Sequence, residues 1–565
     1  MLNAINEKLI AKILSAGAAL TTILIISGSV TDPVNTPKFV AIGVTGFAAV
    51  GVLLLAGVRK FFQEYKLLLV IVGLFIGSML FAVVSSESPI SQNFYGSYGR
   101  NNGFLAYLFL ALIFISVLVL RNSTNFESII RALLFAGIIN VSYCLWVIMF
   151  GDFIGWSNPY GNILGTLGNP NFIGSFLGIF FTAYLAYALS KSASRILKHS
   201  LLIVLPITAF EIYDSSAIQG RVVAALGVGI LGFLLIRSRF GMMATLGYVI
   251  ACFILGIFAL LGALQIGPLT NYIYKTSVSL RGQYWLAGWN TGENHPFTGV
   301  GMDSFGDWYR RSRDLHAIEL PGVNTVVNAA HNVPLDMFAF GGWPLLLTYI
   351  SIMGVAGLAA IKLIIRNKTY DPILAVLVTA WVGYQVQSII SINQIGLAVW
   401  GWLLSGALIA YERSTRIQLA EEIQIAGQPR RKTPNHADQS QALLMVLTGG
   451  VIGLLIGLPP LTADAKWRSA QLVRTIPAFE NSMKSSYFNP QNSMKYLTNI
   501  ESLERSSLFE LSHKYALEAT KWNPESFELW KVLYLIRDST AEEKELALEN
   551  MKRLDPLNPD VTSIK

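Results

Sequence analysis

Apolar residues occupy the chain in runs of about twenty, broken by short polar stretches. A helix needs roughly 20 predominantly apolar residues to cross a bilayer. On that criterion the sequence predicts about thirteen spans. They fall near 8–30, 38–58, 67–84, 103–120, 128–150, 171–190, 200–213, 221–236, 241–265, 343–365, 372–390, 394–411 and 441–461. The seventh and eighth are short, and are expected to be tilted or broken. The first run continues to about Val30, beyond the roughly 7–15 residues of a signal-peptide core, so it reads as an uncleaved span. The predicted fold class is all-α: a polytopic transmembrane helical bundle.

Basic residues orient this bundle. Lys8 and Lys12 precede the spans or begin them. Alternate connections then hold Arg59, Lys60 and Lys66; Arg121 and Arg131; Lys191, Arg195 and Lys198; Arg237 and Arg239. The series continues with Lys362, Arg366 and Lys368, then Arg413, Arg416, Arg430, Arg431 and Lys432. Under the positive-inside rule these mark the cytoplasm, which puts the N-terminus inside and the C-terminal region outside.

Composition agrees with this pattern. Of 565 residues, 53% are hydrophobic and 13% charged, against roughly 25% charged in soluble domains. The formal charge of +8 resides in short loops between apolar runs, which argues against a nucleic-acid partner. Cys144 and Cys252 lie in apolar stretches without metal-ligand spacing and read as small hydrophobes. Four regions are expected: transmembrane helices over 1–264, a large extracytoplasmic loop over 265–342, further transmembrane helices over 343–462, and an extracytoplasmic helical tail over 463–565. The tail repeats Ala516-Leu517-Glu518 as Ala547-Leu548-Glu549, and answers Asn523-Pro524 with Asp555-Pro556. Offsets of this size are close to the 34-residue tetratricopeptide repeat.

The candidate chemistry lies on the outer side. Arg100 sits in Gly99-Arg100-Asn101-Asn102, Arg221 where a span begins, and Arg281 at the start of the large loop. Guanidinium forks match phosphate oxygens. The plainer alternative is that each snorkels to headgroups or pairs with an acid such as Asp214. The loop closes with Ala330-His331-Asn332-Val333-Pro334, and a histidine can act as a general base on an attacking hydroxyl. His295 and His316 are weaker candidates. Gly299-Val300-Gly301 lacks the lysine of a phosphate-binding loop. No cysteine–histidine cluster suggests zinc, so neither a metal nor a cofactor is expected.

Arg281 with Tyr284-Trp285, His295-Pro296, Gly299-Val300-Gly301, Phe305, His331-Asn332 and Gly341-Gly342 resemble the O-antigen ligase/polymerase family. Gly99-Arg100, Gly168-Asn169-Pro170-Asn171 and Ser215-Ser216 through Arg221 are similar to it upstream. The resemblance spans roughly residues 8–411. It implies a metal-independent glycosyltransferase of the cytoplasmic (inner) membrane, taking a glycan from undecaprenyl pyrophosphate to a hydroxyl on a glycan, lipid or protein acceptor. Carried over by motif, Arg221 and Arg281 would hold the pyrophosphate, Arg100 would be a third contact, and His331 would be the base. The Gln219-Gly220 spacer before Arg221 departs from the commonest pattern. Two other readings compete. One is a flippase for lipid-linked glycans, with Glu211 the main intramembrane charge. The other is a membrane-anchored scaffold whose tail recruits a protein partner.

Overall fold

The computed structural model describes residues 4–56, 58–191, 193–424 and 437–564. Arg430, Arg431 and Lys432 lie outside the described residues. Among those described, helices make up the whole architecture, apart from one isolated bridge between Ser486 and Asn489. Eleven helices are long and apolar enough to cross a membrane. Two more coincide with expected spans: Ala4–Ile23, which carries Glu7, Lys8 and Lys12, and Phe104–Val117, which has only 14 residues. The two spans expected to be short or broken are full length, Arg195–Asp214 and Ile218–Arg239, although Pro206 lies inside the first.

The first helix stops at Ile23 rather than near Val30. Carbonyls at a helix end need donors, and Lys38 supplies them. Its buried Nζ donates to the carbonyls of Thr21 (3.0 Å), Thr22 (2.6 Å) and Leu24 (3.0 Å). The following segment is thereby free to turn back into the helix Asn35–Leu53.

Small residues set the closest helix contacts, as expected where helices associate by packing in lipid. Gly449, Gly453 and Gly457 form one stripe of the last membrane helix, Ala437–Val473, against Asn35–Leu53. A Cβ on Gly453 would stand 2.3 Å from the Gly43 carbonyl oxygen. Likewise a Cβ on Gly220 would meet the Gly174 carbonyl oxygen at 2.5 Å, which seats Ile218–Arg239 against Pro170–Ala188.

The region between Ala263 and Val333 is ordered as helices Thr276–Asn294 and Phe305–Ser312 with short connections. The helix that returns to the bundle starts at Val333, ten residues before the expected span, and is kinked at Gly341 and Gly342. Past Ala437–Val473 the tail forms helices Ser493–Arg505, Phe509–Trp522, Phe527–Leu535 and Ala541–Leu554. These have their own core, including Tyr496, Ile500, Tyr515, Leu529 and Met551. The two Ala-Leu-Glu triplets fall inside the second and fourth of these helices, and each Asn/Asp-Pro pair directly follows its helix.

Candidate functional site

The kink explains a motif that sequence reading had excluded only as a phosphate loop. In an unbroken helix the Ala339 and Phe340 carbonyls would accept from residues 343 and 344. Pro344 has no N–H to give, and Trp343 N donates instead to the Pro296 carbonyl (2.7 Å). The orphaned carbonyls are taken by Val300 N (to Ala339 O, 2.9 Å) and Gly301 N (to Phe340 O, 3.0 Å). Close approach requires glycine: a Cβ on Gly299 would overlap the Phe340–Gly341 peptide, and one on Gly301 would lie 2.1 Å from Ser86 Oγ. Gly299-Val300-Gly301 therefore splices the loop onto the kinked helix.

Immediately before that helix stands His331, in a left-handed conformation (φ +57°). Its neighbours fix it on both sides. Ala330 N donates to Asp336 Oδ1 (2.7 Å), and the Asn332 side chain accepts from Leu335 N (3.1 Å), capping the helix. Trp285 Nε1 reaches the His331 carbonyl at 3.4 Å, and the Tyr284 ring lies 5.2 Å from the imidazole, centroid to centroid. Both aromatic residues come from Thr276–Asn294, whose Gly288 admits Ala330 closely.

Arg281 lies one turn before Tyr284 on the same helix. Its Nε donates to the Ile390 carbonyl (2.8 Å) and its Nη1 to Ser277 O (2.9 Å), which leaves Nη2 uncommitted among the described residues. Arg100 arrives from a different direction, on the turn between two spans. Asp303 stitches that turn to the loop: its Oδ2 accepts from Ser97 N (2.7 Å) and Asn102 N (3.2 Å), and Ser97 Oγ donates to Asp303 O (2.7 Å). The Arg100 Nη1 is buried without a hydrogen-bond partner.

These groups act on one another. Burial, then the charges of Arg100 and Arg281, push the His331 pKa down to about 3, so the imidazole is neutral at neutral pH and, as it stands, weakly basic. Burial raises the Asp303 carboxyl to about 7 against the opposing pull of Arg100.

Residues 201–350 match the family model described as O-Antigen ligase. The match covers about a quarter of the chain and takes in Arg221, Arg281 and His331, but neither Arg100 nor the tail. It supports a membrane glycan-ligase role. No curated protein matches the chain.

Of the four residues singled out from sequence, His331, Arg281 and Arg100 are drawn together. Arg221 is exposed, with its guanidinium 5.1 Å from the Tyr213 ring centroid, and no recorded contact joins it to the other three. Two residues earlier on that helix, the buried Gln219 donates from Nε2 to the Ile390 carbonyl (3.3 Å), the same oxygen that holds Arg281. The spacer residue, rather than the arginine, faces the site. The break Ser391–Gln394 contributes as well: Asn102 Nδ2 donates to the Asn393 carbonyl (2.6 Å), and Asn393 Nδ2 donates to Asn102 Oδ1 (3.2 Å). Sequence reasoning missed Gln219, Asp303, Asp336 and Asn393. The departure from the usual spacer was the one available signal, for Gln219. His295 packs edge-on against Trp308 and His316 is exposed.

Proposed function

We propose that the protein transfers a glycan from undecaprenyl pyrophosphate to a hydroxyl of a glycan, lipid or protein acceptor, at the outer face of the cytoplasmic membrane. The observation that carries this reading is the meeting of a neutral, half-buried imidazole with two guanidiniums that no carboxylate among the described residues neutralises by direct contact. The acceptor oxygen attacks the anomeric carbon while its proton passes to His331. The carbon–oxygen bond to the pyrophosphate breaks, and the leaving group keeps the electron pair. Arg281 and Arg100 stabilise the charge that develops there; Arg221, at the exposed start of its helix, meets the donor on approach. The chemistry calls for no metal or cofactor.

The depressed histidine pKa fits this sequence of events. Two nearby cations disfavour imidazolium. Burial is the larger cause of the depression; a bound pyrophosphate would offset the two charges and so raise the proton affinity of the imidazole. His331 would then gain basicity only once the donor is seated. We also propose that the C-terminal helices are a tetratricopeptide-like module on the same side, available to a protein partner, and that the charged connections described above face the cytoplasm.

One observation favours a transporter instead. Glu211, inside a span, is fully buried and neither carboxylate oxygen has a hydrogen-bond partner, and intramembrane ionisable groups often mark transport pathways. A vesicle assay with a fluorescent undecaprenyl-pyrophosphate glycan in EDTA separates the two. Release of lipid pyrophosphate with a heavier glycan product, lost in His331→Ala, is expected. Movement of the donor across the membrane without bond cleavage, unchanged by that substitution, would overturn the ligase reading.

A further inference from the structure

A cavity of about 220 Å³ separates the large loop from the helical tail. Its walls include the amides of Gln92, Asn328, Gln491 and Asn492 and the rings of Tyr98 and Phe527. Charges are present but already satisfied. Arg310 pairs with Glu528 and Asp555, while Asp307 accepts from Gln92 Nε2 (2.9 Å) and Asn523 Nδ2 (3.1 Å). Neutral amide atoms also remain without partners. Gln491 is 4% exposed, its Nε2 donates to the Met483 carbonyl, and its Oε1 has no partner. The Asn328 side chain is exposed and engages no hydrogen-bond partner among the described residues.

A smaller cavity shares Gly96, Tyr98, Gln491 and Asn492 with the first and extends to Asn101, the neighbour of Arg100. Asn101 is 3% exposed, and its Oδ1 likewise lacks a partner. The two cavities adjoin along this shared wall as a groove, and its smaller end, which also touches Asp464, reaches the turn that carries Arg100.

Gln491 offers an acceptor, Asn492 a donor, and Asn328 both, which suits hydroxyl groups that both donate and accept. Phe527 is buried under Arg310, but the half-buried Tyr98 ring can cover the apolar C–H face of a sugar. An anion would find no unpaired cation in the larger cavity, and its volume is below the roughly 300–1,000 Å³ of drug-sized sites. We propose that this groove binds a short, uncharged stretch of saccharide, either acceptor chain or product, and leads its end toward His331. The inference rests on the glycan-transfer reading above.

The test uses full-length protein in nanodiscs and an array of bacterial and synthetic oligosaccharides as the probe. Wild type, Asn328→Trp, Met494→Trp and His331→Ala are compared for binding, and each is assayed for transfer. Asn328 and Met494 are both exposed at the groove, so bulk placed there blocks the groove without disturbing a core. Retention of the same sugars by wild type and His331→Ala, with a loss of at least tenfold in Asn328→Trp and again in Met494→Trp, is the expected result. No sugar retained by the wild type, or equal retention by both tryptophan variants, overturns the groove. Transfer that survives in His331→Ala would instead overturn the catalytic reading, whatever the array reports.

Discussion

Two sets of arginines occupy the same end of the molecule under opposite conditions. Arg310, Arg311 and Arg313, on and just after the helix Phe305–Ser312, are neutralised by carboxylates of the tail. Arg313 Nη2 bonds both oxygens of Asp555 (2.8 and 3.0 Å), Arg310 takes Asp555 and Glu528, and Arg311 takes Glu525. Arg100 and Arg281 have no ion pair among the described residues; their recorded partners are carbonyls, or none. All five guanidiniums carry the same charge, but only the second set retains the capacity to receive an anion. Charge alone therefore does not identify a phosphate site in this chain. The balance of carboxylates around each arginine does.

The comparison breaks most sharply if the two sets prove interchangeable. Arg281→Ala and His331→Ala are expected to lower transfer by about 10²–10⁴-fold, with thermal unfolding in detergent unchanged. Arg281→Lys should rescue little, because an ammonium cannot reproduce the planar fork. Arg313→Ala should act on stability instead. It leaves the fully buried Asp555 with Arg310 as its remaining cation, a loss of up to about 3–5 kcal/mol, read as a lower unfolding midpoint and faster proteolysis of the tail. Replacing Arg313 and Asp555 together by Met and Leu should recover much of that loss.

Smaller effects sharpen the picture. Gly301→Ala forces a side chain into φ +103° beside Ser86 Oγ and should cost on the order of 1–3 kcal/mol, measured by chemical denaturation. Asp303→Asn tests the stitch that holds Arg100. The native carboxyl has its pKa raised to about 7, so the folded state holds a proton that the unfolded chain releases near 4. Its contribution is fully present below pH about 4 and is lost as pH rises toward about 7. The asparagine, whose oxygen can accept both backbone bonds, should flatten that decline. An unchanged stability–pH curve would count against it.

Much of the bundle was legible because apolar run length and charge alternation are local properties of the chain. Lys38 was not, since a cation at the edge of an apolar run gives no sign that it will cap three carbonyls of the preceding helix. The weight given to Arg100, Arg221 and Arg281 as outer cations passed over Arg310, Arg311 and Arg313, which carboxylates more than two hundred residues away silence. Arg281 and His331 were legible by motif. Gln219 and Asp303 were not, because their roles depend on which face of a helix is buried and on a turn from another part of the chain.

The splice between Gly299-Val300-Gly301 and the kinked helix divides that helix into two arms with different duties. His331 precedes the short arm, which the loop grips by two backbone bonds, while the long arm below Trp343 belongs to the bilayer. Tilting of the long arm, as when the membrane thins or thickens, would be taken up at the glycine elbow. On the proposed reading, His331 would then keep its alignment with the guanidiniums in lipids of different thickness.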